Sequence, residues 1–355
     1  MLTFYTDPHL GLSRAGNTTP RSSENLRQAL LDQALQIIQR PGRKICLGDM
    51  FDTFSNSEEV LESVLPIISQ TTLVLSGNHD VVNQAGKVGS LQMLDRAYQR
   101  LTGSGHCLFA EFGQPMAFSW AIPEEDVHLV AVPHVANQSL FEESLNTAKG
   151  TKIGRGNGGA ILLLHCNYDL SEQWATETSL NLTPDKAAQL LETFDYIMLG
   201  HEHAPAEYLD GRVIVLGNTM PTGLGDISDK RIAILENGQL RFEQVWAEST
   251  GYAEYAHDSL PEMTEAEFIR VKGEVDPGDM LDMTRSIQQM WRRSPKLYCV
   301  KVDARIKGLS PSTNGESVTQ SIAQLPAIIR KELERHPALL ALWDQLIQEE
   351  ELTHG

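Results

Sequence analysis

Cysteine is scarce. Cys46, Cys107, Cys166 and Cys299 are scattered through 355 residues with no CxxC pair. That excludes a disulfide scaffold or a zinc ribbon, and it fits free, mostly buried thiols in a reducing cytoplasm. Long apolar runs are also missing: none approaches the roughly 20 residues of a membrane span. The start, Met1-Leu2-Thr3-Phe4, has no basic segment followed by an apolar one, so neither a membrane span nor a leader is expected. Basic charge is short as well, with 29 Lys and Arg against 47 Asp and Glu and a net charge of −18. A free-standing nucleic-acid binder normally needs a basic surface, so strong affinity for DNA would have to come partly from a partner. The acidic balance does not exclude a metal site that handles phosphates, because divalent cations supply positive charge locally. There are no internal repeats and no low-complexity segments.

What the chain does have is one design used five times, a short apolar run followed at once by residues able to bind metal. Leu2 to Thr6 leads to Asp7-Pro8-His9-Leu10-Gly11, and Lys44 to Leu47 leads to Gly48-Asp49-Met50-Phe51-Asp52. Leu73-Val74-Leu75 leads through Ser76 to Gly77-Asn78-His79-Asp80. Ala160 to Leu164 leads to His165, and Tyr196 to Leu199 leads to Gly200-His201-Glu202-His203. Between these runs the apolar residues keep helical spacing. Leu26, Leu30, Ala34 and Ile37 follow Ser22 or Ser23 as a cap. Further helices are expected over about Ser57–Gln70 (with a kink or early stop at Pro66), Ser90–Leu101, Asn137–Ala148 and from Thr183-Pro184 to about Thr193. Asn237-Gly238 marks a hairpin between two late strands. This alternation predicts an α/β fold of βαβ units with a sheet covered on both faces. In such sheets chemistry sits just past the carboxyl ends of the strands, where these residues fall.

Asp7 and His9, and likewise His201 and His203, stand two apart, so in extended segments each pair can serve one site. The donors mix imidazole, carboxylate and amide oxygen, a set suited to manganese, iron or zinc. They exceed what one tetrahedral ion needs and fit two octahedral ions sharing a bridging carboxylate. Two ions about 3.5–4 Å apart are the usual apparatus for displacement at phosphorus. His106, His128 and His134 lack such company and are read as surface or satisfied core histidines.

Asp-Pro-His-Leu-Gly, Gly-Asp-Met-Phe-Asp, Gly-Asn-His-Asp, the lone His165 and Gly-His-Glu-His resemble, in order and spacing, the five motifs of the calcineurin-like metallophosphoesterase superfamily. Together with the Gly217-Asn218 loop and a small later strand–helix–strand unit, they look most like the SbcD-type nuclease subunit, the bacterial and phage relative of the double-strand-break repair nuclease. The resemblance implies a two-sheet sandwich flanked by helices, and two divalent ions, manganese with magnesium as the substitute. One ion falls to Asp7, His9, Asp49 and His203, the other to Asp49, Asn78, His165 and His201, with Asp49 bridging. It leaves His79 for the scissile phosphate, Asp80 to orient His79, and Asp52, where archaeal members carry a histidine, in support behind the ligands. Arg14 and Arg21, in the loop beside the site, are candidate DNA contacts.

The resulting organisation is a phosphoesterase domain over 1–250, a polar linker over 251–267, a small α+β capping and DNA-binding domain over 268–310, and a helical tail over 311–355. The tail carries an apolar stripe of Leu339, Leu340, Leu342, Trp343, Leu346 and Ile347, suited to an SbcC-type coiled-coil ATPase. The expected function is a metal-dependent DNA exo- or endonuclease in recombination and repair, working with that ATPase as a homodimer in the cytoplasm (of the host, for a phage protein). The competing reading is a phosphodiesterase or phosphatase of the same superfamily that acts on a small molecule or a protein.

Overall fold

Alternate residues of the central strands face two different cores, and this pattern builds the layers. Leu2, Phe4, Ile45, Leu47, Leu73 and Leu75 pack against Leu129, Ala131, Ile161, Leu163, Met198 and Ile214. Their neighbours Tyr5, Cys46 and Val74 point the other way, onto Leu26, Leu30, Ile37, Ile67 and Ile68. The molecule is seen in a computed structural model, described over residues 1–12, 17–81, 87–103, 105–110, 114–153, 159–170 and 180–306.

Two six-stranded mixed sheets result. In spatial order the first joins Gln239–Trp246, Lys230–Glu236, Leu2–Tyr5, Arg43–Cys46, Leu73–Leu75 and Cys107–Leu108. The second joins Ala206–Tyr208, Val213–Val215, Tyr196–Gly200, Gly159–His165, Val127–Val132 and Phe118–Ile122. The Leu2, Arg43 and Leu73 strands run parallel to one another, as do the Val127, Gly159 and Tyr196 strands. The carboxyl ends within each set therefore share one edge of their sheet. Helices Pro20–Ile38 and Glu58–Gln70 cover the outer face of the first sheet, and Gln138–Lys149 and Pro184–Leu190 that of the second. The two-sheet α/β sandwich is the architecture expected from the motifs.

Several local expectations shift. The first long helix is capped by Thr19 with Pro20 in its first turn, and Ser22 closes a reciprocal capping box; neither Ser22 nor Ser23 is the cap. Thr-Pro does the same at Thr183-Pro184, where the helix stops at Leu190, short of Thr193. Pro66 does not stop the Glu58–Gln70 helix, which continues past it to a cap at Thr71.

Residues Met1–Ala304 form one compact unit. Within it, the polar stretch read as a linker contains a strand, Tyr252–Ala256, paired in parallel with Phe268–Lys272. Cys299–Val302 completes a three-stranded sheet, and helix Met280–Arg293 packs its Met283, Ile287 and Met290 in one core with Ile269 and Val271 of that sheet. The polar surroundings of this short strand, with Glu254 inside it paired to Lys272, hid it from a pattern reading. The helical tail and Arg14 lie outside the described residues. Among the described residues, no helix is long and apolar enough to cross a membrane.

Candidate active site

The first two motif loops run side by side. Asp7 N–H donates to the Gly48 carbonyl at 3.0 Å, His9 N–H to the Asp49 carbonyl at 3.2 Å, and Leu10 N–H to the Met50 carbonyl at 3.0 Å. The third is tied to them by Asp80. Its buried carboxylate accepts the amides of Gly77 (3.0 Å), Met50 (3.2 Å) and Phe51 (3.2 Å). Burial, with the Asp49 charge beside it, pushes the Asp80 carboxyl up to about 7. The close approach of these loops explains two of the motif glycines. A Cβ on Gly77 would collide with Asp49, and one on Gly48, which also sits at φ +120°, would collide with the His165 ring.

The backbone is bent where the donors sit. Asp7 (φ 51°), His9 (φ 44°), Asp49 (φ 48°) and His201 (φ 92°) all occupy left-handed conformations that non-glycine residues adopt at a cost. Strand alternation is therefore not what places them. Asp7 and His9 do converge, but through two left-handed turns after the strand ends at Tyr5. His201 and His203 face different groupings, His201 joining Asp49 and His165 and His203 joining Asp7 and His9.

Among the described residues, three groupings of donor atoms come within 4.8 Å: Asp7, His9 and His203; Asp49, His165 and His201; and His9, Asp52 and His79. In the first, the Nε2 atoms of His9 and His203 are 3.0 Å apart. Asp7 spends one oxygen on Thr6 Oγ1 (2.5 Å) and the His201 amide (3.0 Å), while its Oδ1 is buried with no partner. In the second, Asn78 Oδ1 lies 3.0 Å from His165 Nε2 and 2.9 Å from His201 Nδ1, and Asp49 Oδ2 lies 3.3 Å from His165 Nε2. Imidazole, carboxylate and amide donor atoms converging at two points, with a buried carboxylate oxygen lacking a hydrogen-bond partner, fit cations there. Asp49 stands between them, its charge acting on both His9 and His165.

The protonation states are strongly biased. Burial depresses His9 to about 3 and His201 to about 4. Burial would depress His165 too, but the Asp49 carboxylate outweighs it and takes that imidazole up to about 9. Asp49 itself lies well below the carboxylate range: burial would raise it, and the His165 charge and hydrogen bond win.

His79 lies outside the first two groupings and shares the third with His9 and Asp52. Its amide donates to Asp49 Oδ1 at 2.9 Å, and its Nδ1 donates to the Asp52 backbone carbonyl at 2.5 Å. Its orienting partner is therefore that carbonyl and not Asp80, which is fully engaged in bracing the loops. The Asp52 carboxylate is 3.5 Å from His9 Nδ1, in support of a ligand. Arg21 is exposed at the start of the first long helix, in a cleft of about 230 Å³ with Trp291 and Arg292.

Other residues were not read as functional from sequence. His134, set aside with His106 and His128, is 5% exposed, has no partner for Nδ1, and stands edge-on to His165 at 6.4 Å between centroids. Burial and the His165 charge depress it to about 3. Its signal was its place just past the Val127–Val132 strand, the same placement as the other donors. His128, by contrast, is satisfied by Ser119 Oγ at 2.7 Å. Asp226 is the larger omission: its Oδ2 accepts from His203 Nδ1 at 3.0 Å. Burial would raise its carboxyl, but the bonds from His203 and the Thr222 amide and the Lys230 charge hold it well below the usual range.

A paired-cation centre at the strand ends of a helix-flanked double sheet is the apparatus of metal-dependent phosphoester hydrolysis. The chain belongs to the calcineurin-like phosphoesterase family, whose model matches residues 2–205. That family uses a dinuclear metal centre. No curated protein matches the chain. Among solved structures, a Staphylococcus aureus protein described as a 5′-nucleotidase, in complex with α-ketoglutarate, is similar at 13% identity and a TM-score of 0.37. The match covers 68% of this chain and 52% of that one, so this chain spans about half of that protein's length.

Proposed function

We propose that the chain is the nuclease subunit of an SbcD-type complex, hydrolysing DNA phosphodiesters with two manganese or magnesium ions and working with an SbcC-type coiled-coil ATPase. One observation carries the hydrolytic part. His79 commits its Nδ1–H to the Asp52 backbone carbonyl at 2.5 Å and lies outside the Asp7–His9–His203 and Asp49–His165–His201 groupings, so its Nε2 is left to exchange a proton. Asp7, His9, Asp49 and His203 would hold one ion, and Asp49, Asn78, His165 and His201 the other. When bound, such ions bind the phosphate oxygens and lower the pKa of the attacking water. His79 contributes a proton at Nε2 to the leaving oxygen, and the Asp52 carbonyl fixes the ring for that transfer. Asp80 keeps the three loops in register.

The choice of DNA rests on the motif resemblance and on the unit over residues 252–302, a separate sheet and helix appended to the phosphoesterase fold. In this reading residues 268–306 cap the site, the tail supplies the ATPase contact, and two copies assemble in the complex. The acidic balance fits a subunit that leaves most backbone binding to its partner. The test compares manganese-dependent cleavage of linear duplex and single-stranded DNA with that of a small chromogenic phosphodiester, with and without a coiled-coil ATPase. DNA cleavage stimulated by the ATPase is expected. Turnover of the small diester with no cleavage of DNA under any condition would assign the chain to the small-molecule phosphodiesterases.

A further inference from the structure

Five donors converge on the carboxylate of Asp226. Its Oδ2 accepts His203 Nδ1 at 3.0 Å, Asn218 Nδ2 at 2.7 Å, the Thr222 amide at 3.0 Å and Thr222 Oγ1 at 3.2 Å, and its Oδ1 accepts the Gly223 amide at 3.1 Å. Lys230, wholly buried, adds a further tie. Its ammonium donates to the carbonyls of His203 (2.9 Å) and Asp226 (2.6 Å) and to Ser228 Oγ (3.0 Å), joining the backbones at both ends of the pair. Such an investment of buried polar groups behind one imidazole asks for a reason.

The other site histidines are held differently. His165 and His79 place Nδ1 on backbone carbonyls, of Leu47 at 2.8 Å and of Asp52 at 2.5 Å. His201 turns its Nδ1 to Asn78 Oδ1, on the side of the second cation point. His9 has a carboxylate behind it only at 3.5 Å, beyond a good hydrogen bond. His203 is the site histidine whose rear nitrogen hydrogen-bonds a carboxylate. A carboxylate in that position keeps the proton on Nδ1, leaves Nε2 as the lone pair, and makes that lone pair more basic. Nε2 is the atom that meets His9 Nε2 at 3.0 Å.

We propose that Asp226 is a positioning residue which, through His203, makes the Asp7–His9–His203 point the tighter of the two cation sites. This rests on the two-ion reading of the centre. The plain alternative is that Asp226 only braces the 218–226 loop.

The test is a calorimetric manganese titration of the metal-free full-length chain, wild type against Asp226→Asn and Asp226→Ala. Asp226→Asn keeps an oxygen where four of the five donors meet but removes the charge. The wild type should bind two ions in two resolved steps. In Asp226→Asn the tighter step should weaken roughly 10- to 100-fold with the weaker step unchanged, and Asp226→Ala should lose at least as much. Wild-type affinities at both steps in Asp226→Asn, with only the melting temperature lowered, would overturn the proposal in favour of the loop brace. A wild-type chain that binds no divalent ion takes down both the proposal and the two-ion reading. Should the variants not fold, long-range proton–nitrogen spectra of the metal-free wild type decide. His203 should carry its proton on Nδ1, and a proton on Nε2 overturns the proposal.

Discussion

At the residue scale, His165 and His79 differ by one proton's fate. His165 sits at about 9 without metal because the Asp49 carboxylate beside it outweighs its burial. Below that pH its imidazole carries a proton that an ion must displace, so manganese affinity should fall as pH drops from 9 towards 6. Calorimetry at pH 7.5 in two buffers of different ionisation enthalpy should show release of about one proton on loading. Binding that is independent of pH would contradict this assignment. His79 lies outside the two groupings assigned to the cations, which leaves its Nε2 for proton exchange in the proposed mechanism. Its replacement by alanine should lower hydrolysis by about 10²- to 10⁴-fold while both manganese affinities stay near wild type. Hydrolysis near the wild-type rate would remove His79 from the mechanism.

The elements, strand by strand, show what could be read beforehand. The donors at the ends of five apolar runs, Asp7, His9, Asp49, Asn78, His165, His201 and His203, come together in space, because strand ends in such sheets share one edge. The means of convergence was hidden. The left-handed turns at Asp7, His9, Asp49 and His201 follow from loops stitched together, and no local pattern at these non-glycine positions announces them. Asp226 was illegible for a different reason. Gly225-Asp226-Ile227-Ser228 reads as an ordinary turn, and its meaning lies in a contact with a ring 23 positions away. His134 was misread by company kept in sequence, when its company in space is His165. The Gly77 approach gives a prediction at this scale. Gly77→Ala drives a methyl into Asp49, and should cost about 1–3 kcal/mol in denaturant unfolding. It should weaken both manganese sites together, since Asp49 serves both. Unchanged stability and metal binding would mean that the loops are not packed as described.

For the whole molecule, a net charge of −18 and a cluster of buried donors set opposite demands. Asp7, Asp49, Asp52 and Asp80 lie within one set of loops, all buried, and cations relieve their mutual repulsion. Metal should therefore stabilise the fold strongly. Free manganese at 100 times its dissociation constant should add about 2.7 kcal/mol per site, read as a rise in melting temperature that chelator reverses. A melting temperature indifferent to chelator would show that the acids are balanced some other way.

The most direct measurement is anomalous diffraction at the manganese edge from crystals grown with manganese. Two peaks about 3.5–4 Å apart are expected, one among Asp7, His9 and His203, the other among Asn78, His165 and His201, with Asp49 touching both. A single peak, or peaks away from these side chains, would contradict the two-ion centre.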